Sequence, residues 1–130
     1  LTSSRATLIN NTLATCPSTP LLLSGYSQGA QLIHLATSSL PSNTTSKISS
    51  IVLFGDPNNG TAIQGVDSTR VRTFCHAGDD ICKGGDAVLK DHLTYGMSFC
   101  IFSCGYALGS RDLRYPFPVP ELITYLDIDP

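Results

Sequence analysis

The chain predicts an α/β fold built around a parallel sheet. Apolar runs without alternation, at residues 21–23 and 51–54, point to strands buried on both faces, which is the situation inside a parallel sheet. Helix-length segments lie between the strand candidates, and such spacing implies right-handed crossover connections. At 130 residues the chain is one domain with room for a core, and no internal repeat or low-complexity tract divides it.

The elements follow in order. Residues 4–14 place Ala6, Ile9 and Leu13 at helical spacing, with Ser3 or Ser4 as cap and Pro17 as stop. Residues 20–24 read as a buried strand. Residues 28–40 read as a helix that turns Ala30, Leu32, Ile33 and Ala36 to the sheet and is closed by Pro41. A second buried strand at 48–55 runs into the turn-rich Asp56-Pro57-Asn58-Asn59-Gly60. A third strand, of alternating character, spans 70–75. The strand at 20–24 is apolar on both sides and is expected to lie centrally. The downstream strands supply neighbours on one side only, so the others are expected in an N-terminal part absent from this polypeptide.

Composition narrows the function classes. Net charge is −2 and 14% of residues are charged, against about a quarter in average soluble proteins. There is no basic run, which argues against nucleic acid as a partner. No stretch approaches the roughly 18 apolar residues of a transmembrane helix. Five cysteines, two of them spaced as Cys75-x6-Cys82, fit an oxidising compartment. Cys75-His76 with Cys82 lacks the paired spacings of zinc sites. Asn10-Asn11-Thr12, Asn43-Thr44-Thr45 and Asn59-Gly60-Thr61 are formal glycosylation acceptors. Secretion is therefore expected, although the chain opens Leu-Thr-Ser-Ser-Arg without a signal peptide.

The chemistry is concentrated at Gly25-Tyr26-Ser27-Gln28-Gly29, between the first strand and the following helix. Gly-x-Ser-x-Gly in a strand–turn–helix setting lifts a serine hydroxyl onto a strained turn. Side chains at the flanking glycines are expected to collide with neighbouring backbone or forbid the turn. The helix beginning at Gln28 points free N–H groups at the reacting centre, where they can hold an oxyanion. Such a serine needs a base and an acid, in the chain order Ser, acid, His. Of the three histidines, His34 stands seven residues along the same helix, about 10 Å away, and reads as a helix residue. His76 abuts Cys75 at a strand end and is a rival. His92 lies furthest downstream and satisfies the order. Asp56 suits a turn. Asp79 and Asp80 lie in the loop that a Cys75–Cys82 bridge would close, and a carboxylate fixed there could orient an imidazole. The residues alone do not separate these two aspartates.

Three segments, Gly25-Tyr26-Ser27-Gln28-Gly29-Ala30, Cys75-His76-Ala77-Gly78-Asp79-Asp80-Ile81-Cys82 and His92-Leu93-Thr94-Tyr95-Gly96, resemble the catalytic blocks of fungal cutinases in order and spacing. The resemblance covers residues 2–96. It implies an α/β-hydrolase, a three-layer sandwich around a parallel sheet, without a lid. It assigns Ser27 as nucleophile, Asp79 as acid and His92 as base, gives the backbone N–H of Gln28 to the oxyanion hole, and places Val88 and Leu93 on an apolar rim. It implies a monomeric secreted esterase acting on cutin-type polyesters and short or medium acyl esters, with no metal or organic cofactor. An alternative is acetylxylan esterase activity, found in the wider family. An alternative of another class is an inactive remnant or polymer-surface binding protein. The family's second oxyanion donor and the partner of Cys16 are expected in the absent N-terminal part. Asp91 stands where several relatives carry proline. Residues 97–130, with Cys100 and Cys104, read as an atypical tail in which only 121–126 suits a short helix after Pro120.

Overall fold

The structure, a computed structural model, describes residues 2–96. Helix α1 (Thr2–Thr15) is followed by strand β1 (Leu21–Tyr26), helix α2 (Gln28–Ser38), the one-turn helix α3 (Ser42–Thr45) and strands β2 (Ile48–Phe54) and β3 (Val71–Phe74). Short 3₁₀ turns at Ser68–Arg70, Ile81–Lys83 and His92–Thr94 complete the order. The expectations for the tail, including Cys100, Cys104 and the helix at 121–126, lie outside the described residues.

The strands pair in the order β1-β2-β3, parallel throughout. Leu23 is opposite Ile51 and Tyr26 opposite Phe54, and Phe54 is in turn opposite Phe74. All three strands therefore end at one edge, where the loops that follow them meet. Among the described residues β1 borders only β2, so the central position expected for β1 is not seen within residues 2–96.

From Ile51 onward β2 divides by parity, as strand geometry requires, and the register irregularity between Leu21 and Leu22 lets Ile48 share the face of Ile51. Leu21, Leu23, Ile48, Ile51 and Leu53 pack with Ile9 of α1 and Ala30, Ile33 and Ala36 of α2. On the other face Val52 and Phe54 pack with Tyr95, Leu22 and Phe74. Both long helices thus cover one face of the sheet, and the chain around Tyr95 covers part of the other. Leu32 departs from expectation: it is only partly buried, whereas Gly29 and Thr37 are buried with Ala30, Ile33 and Ala36. Thr37 tolerates burial because its hydroxyl donates to the Ile33 carbonyl at 2.9 Å, the back-bonding open to threonine inside a helix.

Candidate active site

Ser27 sits between β1 and α2 with φ 54 and ψ −118. It is the only non-glycine residue with positive φ among the described residues. Such a conformation costs on the order of 1–3 kcal/mol and persists only where the surroundings enforce it. Here its N–H donates to the Phe54 carbonyl at 2.9 Å, while its own carbonyl accepts from Ala30 at 3.0 Å and Gln31 at 3.3 Å. The strand ladder and the helix therefore both grip the turn. The Ser27 hydroxyl does not cap α2; it faces the histidine instead.

The two glycines flanking this turn differ. A Cβ on Gly25 would lie 2.7 Å from the Gly29 carbonyl carbon and 2.8 Å from the Ala30 nitrogen, closer than real side chains approach backbone. Gly29 was expected to be constrained in the same way, yet a Cβ there meets no atom within 4 Å. The steric requirement belongs to Gly25. Gln28 is exposed and is the first residue of α2, so its N–H is one of the first-turn amides that lack an intrahelical acceptor.

His92 Nε2 is 2.8 Å from Ser27 Oγ, and His92 Nδ1 is 2.9 Å from Asp79 Oδ2. His92 is 2% exposed and Asp79 0%. A carboxylate accepts, so Nδ1 carries the proton and Nε2 is left to accept from the serine hydroxyl. That tautomer is the one a general base needs. The second carboxylate oxygen, Asp79 Oδ1, accepts from the Ile81 amide at 3.0 Å. The Tyr95 hydroxyl adds a donor to Oδ2 at 2.7 Å. The Cys82 sulfur, 3.5 Å from Oδ2, has no hydrogen once bridged and is a packing contact. Burial pushes the Asp79 carboxyl up, but the hydrogen bonds from Tyr95 and His92, the His92 charge and the Ile81 amide outweigh it and hold it below the ordinary carboxylate value.

Cys75 and Cys82 are bridged, with Cα atoms 6.0 Å apart. The bridge closes the loop that carries Asp79. Asp80 in the same loop turns away, accepting from the Ala87 amide at 3.1 Å. The rival His76 has its Nδ1 2.8 Å from the Asp91 carbonyl and its ring stacked on Tyr95 at 4.2 Å. It thereby ties the Asp79 loop to the segment that carries His92. Asp91, which stands where several relatives carry proline, has its carbonyl held by His76. His34 is 2.9 Å from Asp56 Oδ2, while Asp56 Oδ1 accepts from Asn58 in a turn at 2.9 Å. This pair joins α2 to the end of β2. Cys16 is unpaired among the described residues.

Val88 and Leu93 are 61% and 66% exposed. Leu89 and Tyr26 are also exposed, at 48% and 45%, and neither figured in the rim read from sequence. Tyr26 also stacks on His92, with ring centroids 5.1 Å apart, and donates to the His92 carbonyl at 2.9 Å. Gly55, at φ +55, leaves the space the imidazole occupies: a Cβ there would lie 2.8 Å from His92 Cε1. Tyr95 had a legible signal, since it follows His92 by three residues and i, i+3 positions coincide on a 3₁₀ turn. The roles of Tyr26 and Gly55 had none, because both depend on loops distant in sequence.

Parallel strands, a serine on a left-handed strand-to-helix turn and a buried imidazole–carboxylate pair beside it define the α/β-hydrolase fold. A model of the cutinase family matches residues 2–108. A cutinase of Botryotinia fuckeliana is 58% identical over 92 residues, covering 71% of this chain and 46% of that protein. One of Monilinia fructicola is 51% identical over the same length. The structure of Trichoderma reesei cutinase in complex with a C11Y4 phosphonate inhibitor matches with a TM-score of 0.70 and 47% identity, over 72% of this chain and 43% of that one. An acetylxylan esterase, at 19% identity and a TM-score of 0.65, shares the fold. The chain belongs to the cutinase family, and it spans about half the length of the curated relatives it matches.

Proposed function

We propose that the protein bearing this chain is a secreted, monomeric serine esterase that cleaves cutin-type polyesters and short or medium acyl esters. The observation that supports this most is the unbroken line Ser27 Oγ–His92–Asp79, with separations of 2.8 and 2.9 Å. Ser27 attacks the ester carbonyl as His92 Nε2 takes its proton. The tetrahedral oxyanion is held by the Gln28 amide at the start of α2. His92 returns the proton to the leaving alcohol, and Asp79 stabilises the imidazolium in between. Water, deprotonated by His92, then releases the acyl group from Ser27. The exposed Tyr26, Val88, Leu89 and Leu93 supply an apolar rim beside the serine for acyl chains. The Cys75–Cys82 bridge suits an extracellular setting, and no helix among the described residues is long and apolar enough to cross a membrane.

A fluorescent phosphonate that traps activated serines tests the reading. The full-length protein is expected to label and Ser27→Ala is not. Equal labelling of both would remove Ser27 as nucleophile, and a folded parent that stays unlabelled would favour the non-catalytic polymer-binding alternative.

A further inference from the structure

We propose that Tyr95 is a positioning residue whose hydroxyl keeps Asp79 ionised and aimed at His92. This rests on the assignment of Ser27, Asp79 and His92 above. The direction of the hydrogen bond follows from its surroundings. The Tyr95 oxygen accepts from the His76 amide at 2.8 Å, so its own proton is free to go to Asp79 Oδ2, 2.7 Å away. Burial, reinforced by the Asp79 hydrogen bond, pushes the phenol above its ordinary value of 10.0. It therefore stays protonated, and a donor, wherever the enzyme operates.

Without Tyr95 the buried carboxylate would accept only from His92 and the Ile81 amide, its charge would be less dispersed, and protonating it would become more favourable. Burial is the largest influence on Asp79 and opposes ionisation; the Tyr95 hydrogen bond is the largest that favours it. Tyr95 is itself fixed. It is 4% exposed, stacked on His76 at 4.2 Å and set edge-on to His92 at 6.2 Å. The same oxygen, Oδ2, receives both Tyr95 and His92, so the phenol also sets the carboxylate rotamer that the imidazole meets. The Asp91 carboxylate lies against Gly78, beside Asp79, and three other titratable groups nearby are engaged elsewhere. Tyr26 donates to the His92 carbonyl, Asp80 accepts from Ala87, and His76 is bonded to the Asp91 carbonyl.

The test uses the full-length protein with the Asp79 carboxyl followed by ¹³C NMR through a pH titration, alongside kcat and KM for a soluble ester. In Tyr95→Phe the Asp79 midpoint is expected to rise by about one unit, as for a buried carboxylate that loses a donor. We expect kcat to fall about tenfold, the loss typical of one hydrogen bond to a charged group, with KM unchanged. Phenylalanine also strands the His76 amide, so a second protein carries 3-fluorotyrosine at position 95 alone. It keeps both partners, strengthens the donor and should move the Asp79 midpoint down. That protein decides the matter if Tyr95→Phe does not fold. An Asp79 midpoint unmoved by fluorination, or by Tyr95→Phe in a folded protein, overturns the proposal. The carboxyl titration needs no turnover: if phosphonate labelling rejects the esterase reading, the role of Tyr95 toward Asp79 is still decided separately.

Discussion

Ser27 and Asp79 are the two residues whose local energetics run against the fold and for the chemistry. The serine holds a left-handed backbone that only glycine adopts freely, and the aspartate is a charge with no exposure to solvent. Replacing Asp79 by Asn should lower kcat/KM by about 10⁴-fold, because an amide can donate to Nδ1 and favour the wrong tautomer. The same change has a pH signature. The Asp79 carboxyl lies below its ordinary value of 3.8 in the folded chain. Its ionised form therefore contributes stability that is fully present above pH 3.8 and lost as pH falls through the lower folded value. Urea midpoints of parent and Asp79→Asn should differ at neutral pH and converge in acid below that point. A gap independent of pH would contradict the assignment. The glycines give a second residue-scale expectation. Gly25→Ala should destabilise by about 1–3 kcal/mol through a clash with fixed backbone. Gly29→Ala should be neutral or stabilising by up to about 1 kcal/mol, because the space is open and alanine favours a helix. Paired denaturation curves decide it.

Among elements, the loops beyond the strands hold the site more than the strands do. The Cys75–Cys82 bridge closes a short loop with a sequence separation of 7. Removing it with Cys75→Ser and Cys82→Ser together should lower stability by about 2–3 kcal/mol on chain-entropy grounds. Activity should fall with it even below the melting transition, since the loop carries Asp79. Gly55, just after β2, is the corresponding device for His92. Gly55→Ala places a left-handed alanine, at about 1–2 kcal/mol, against the imidazole. We expect most of kcat to be lost in a protein that still folds, measurable as slow phosphonylation of Ser27. These loops explain how much could be read beforehand. The strand runs and the Gly-x-Ser-x-Gly turn were legible because their signal is local periodicity and spacing. The choice of Asp79 over Asp80 was not, from the residues alone. Adjacent aspartates in one loop have the same composition and differ only in which way the folded loop points them.

At the scale of the molecule, the three parallel strands among the described residues end at one edge, and that common edge is what lets Ser27, Asp79 and His92 meet. Val88 and Leu93 are exposed, and on the proposed reading they offer apolar surface to an extended substrate. Val88→Ser with Leu93→Ser should reduce release of soluble acids from a polyester film about tenfold, the order expected for losing buried apolar contact. The loss on a short soluble ester should be smaller, because such a substrate reaches less of the rim. Equal losses on both would argue against the rim as a polymer contact.

By itself the sequence determined the parallel-sheet class, the serine on its strand-to-helix turn and, through ordered blocks, the membership of a family. Those features depend on neighbours along the chain: turn geometry, apolar periodicity and the spacing of glycine, cysteine and histidine. Only the tertiary structure decided that Oδ2 of Asp79 is shared by His92 and Tyr95, that Gly55 makes room for the imidazole, and that Gly25 rather than Gly29 is sterically required. The first two are contacts between segments far apart in sequence, formed when the loops close over the end of the sheet, and the third is set by how closely the turn brings Gly25 to the backbone of Gly29 and Ala30.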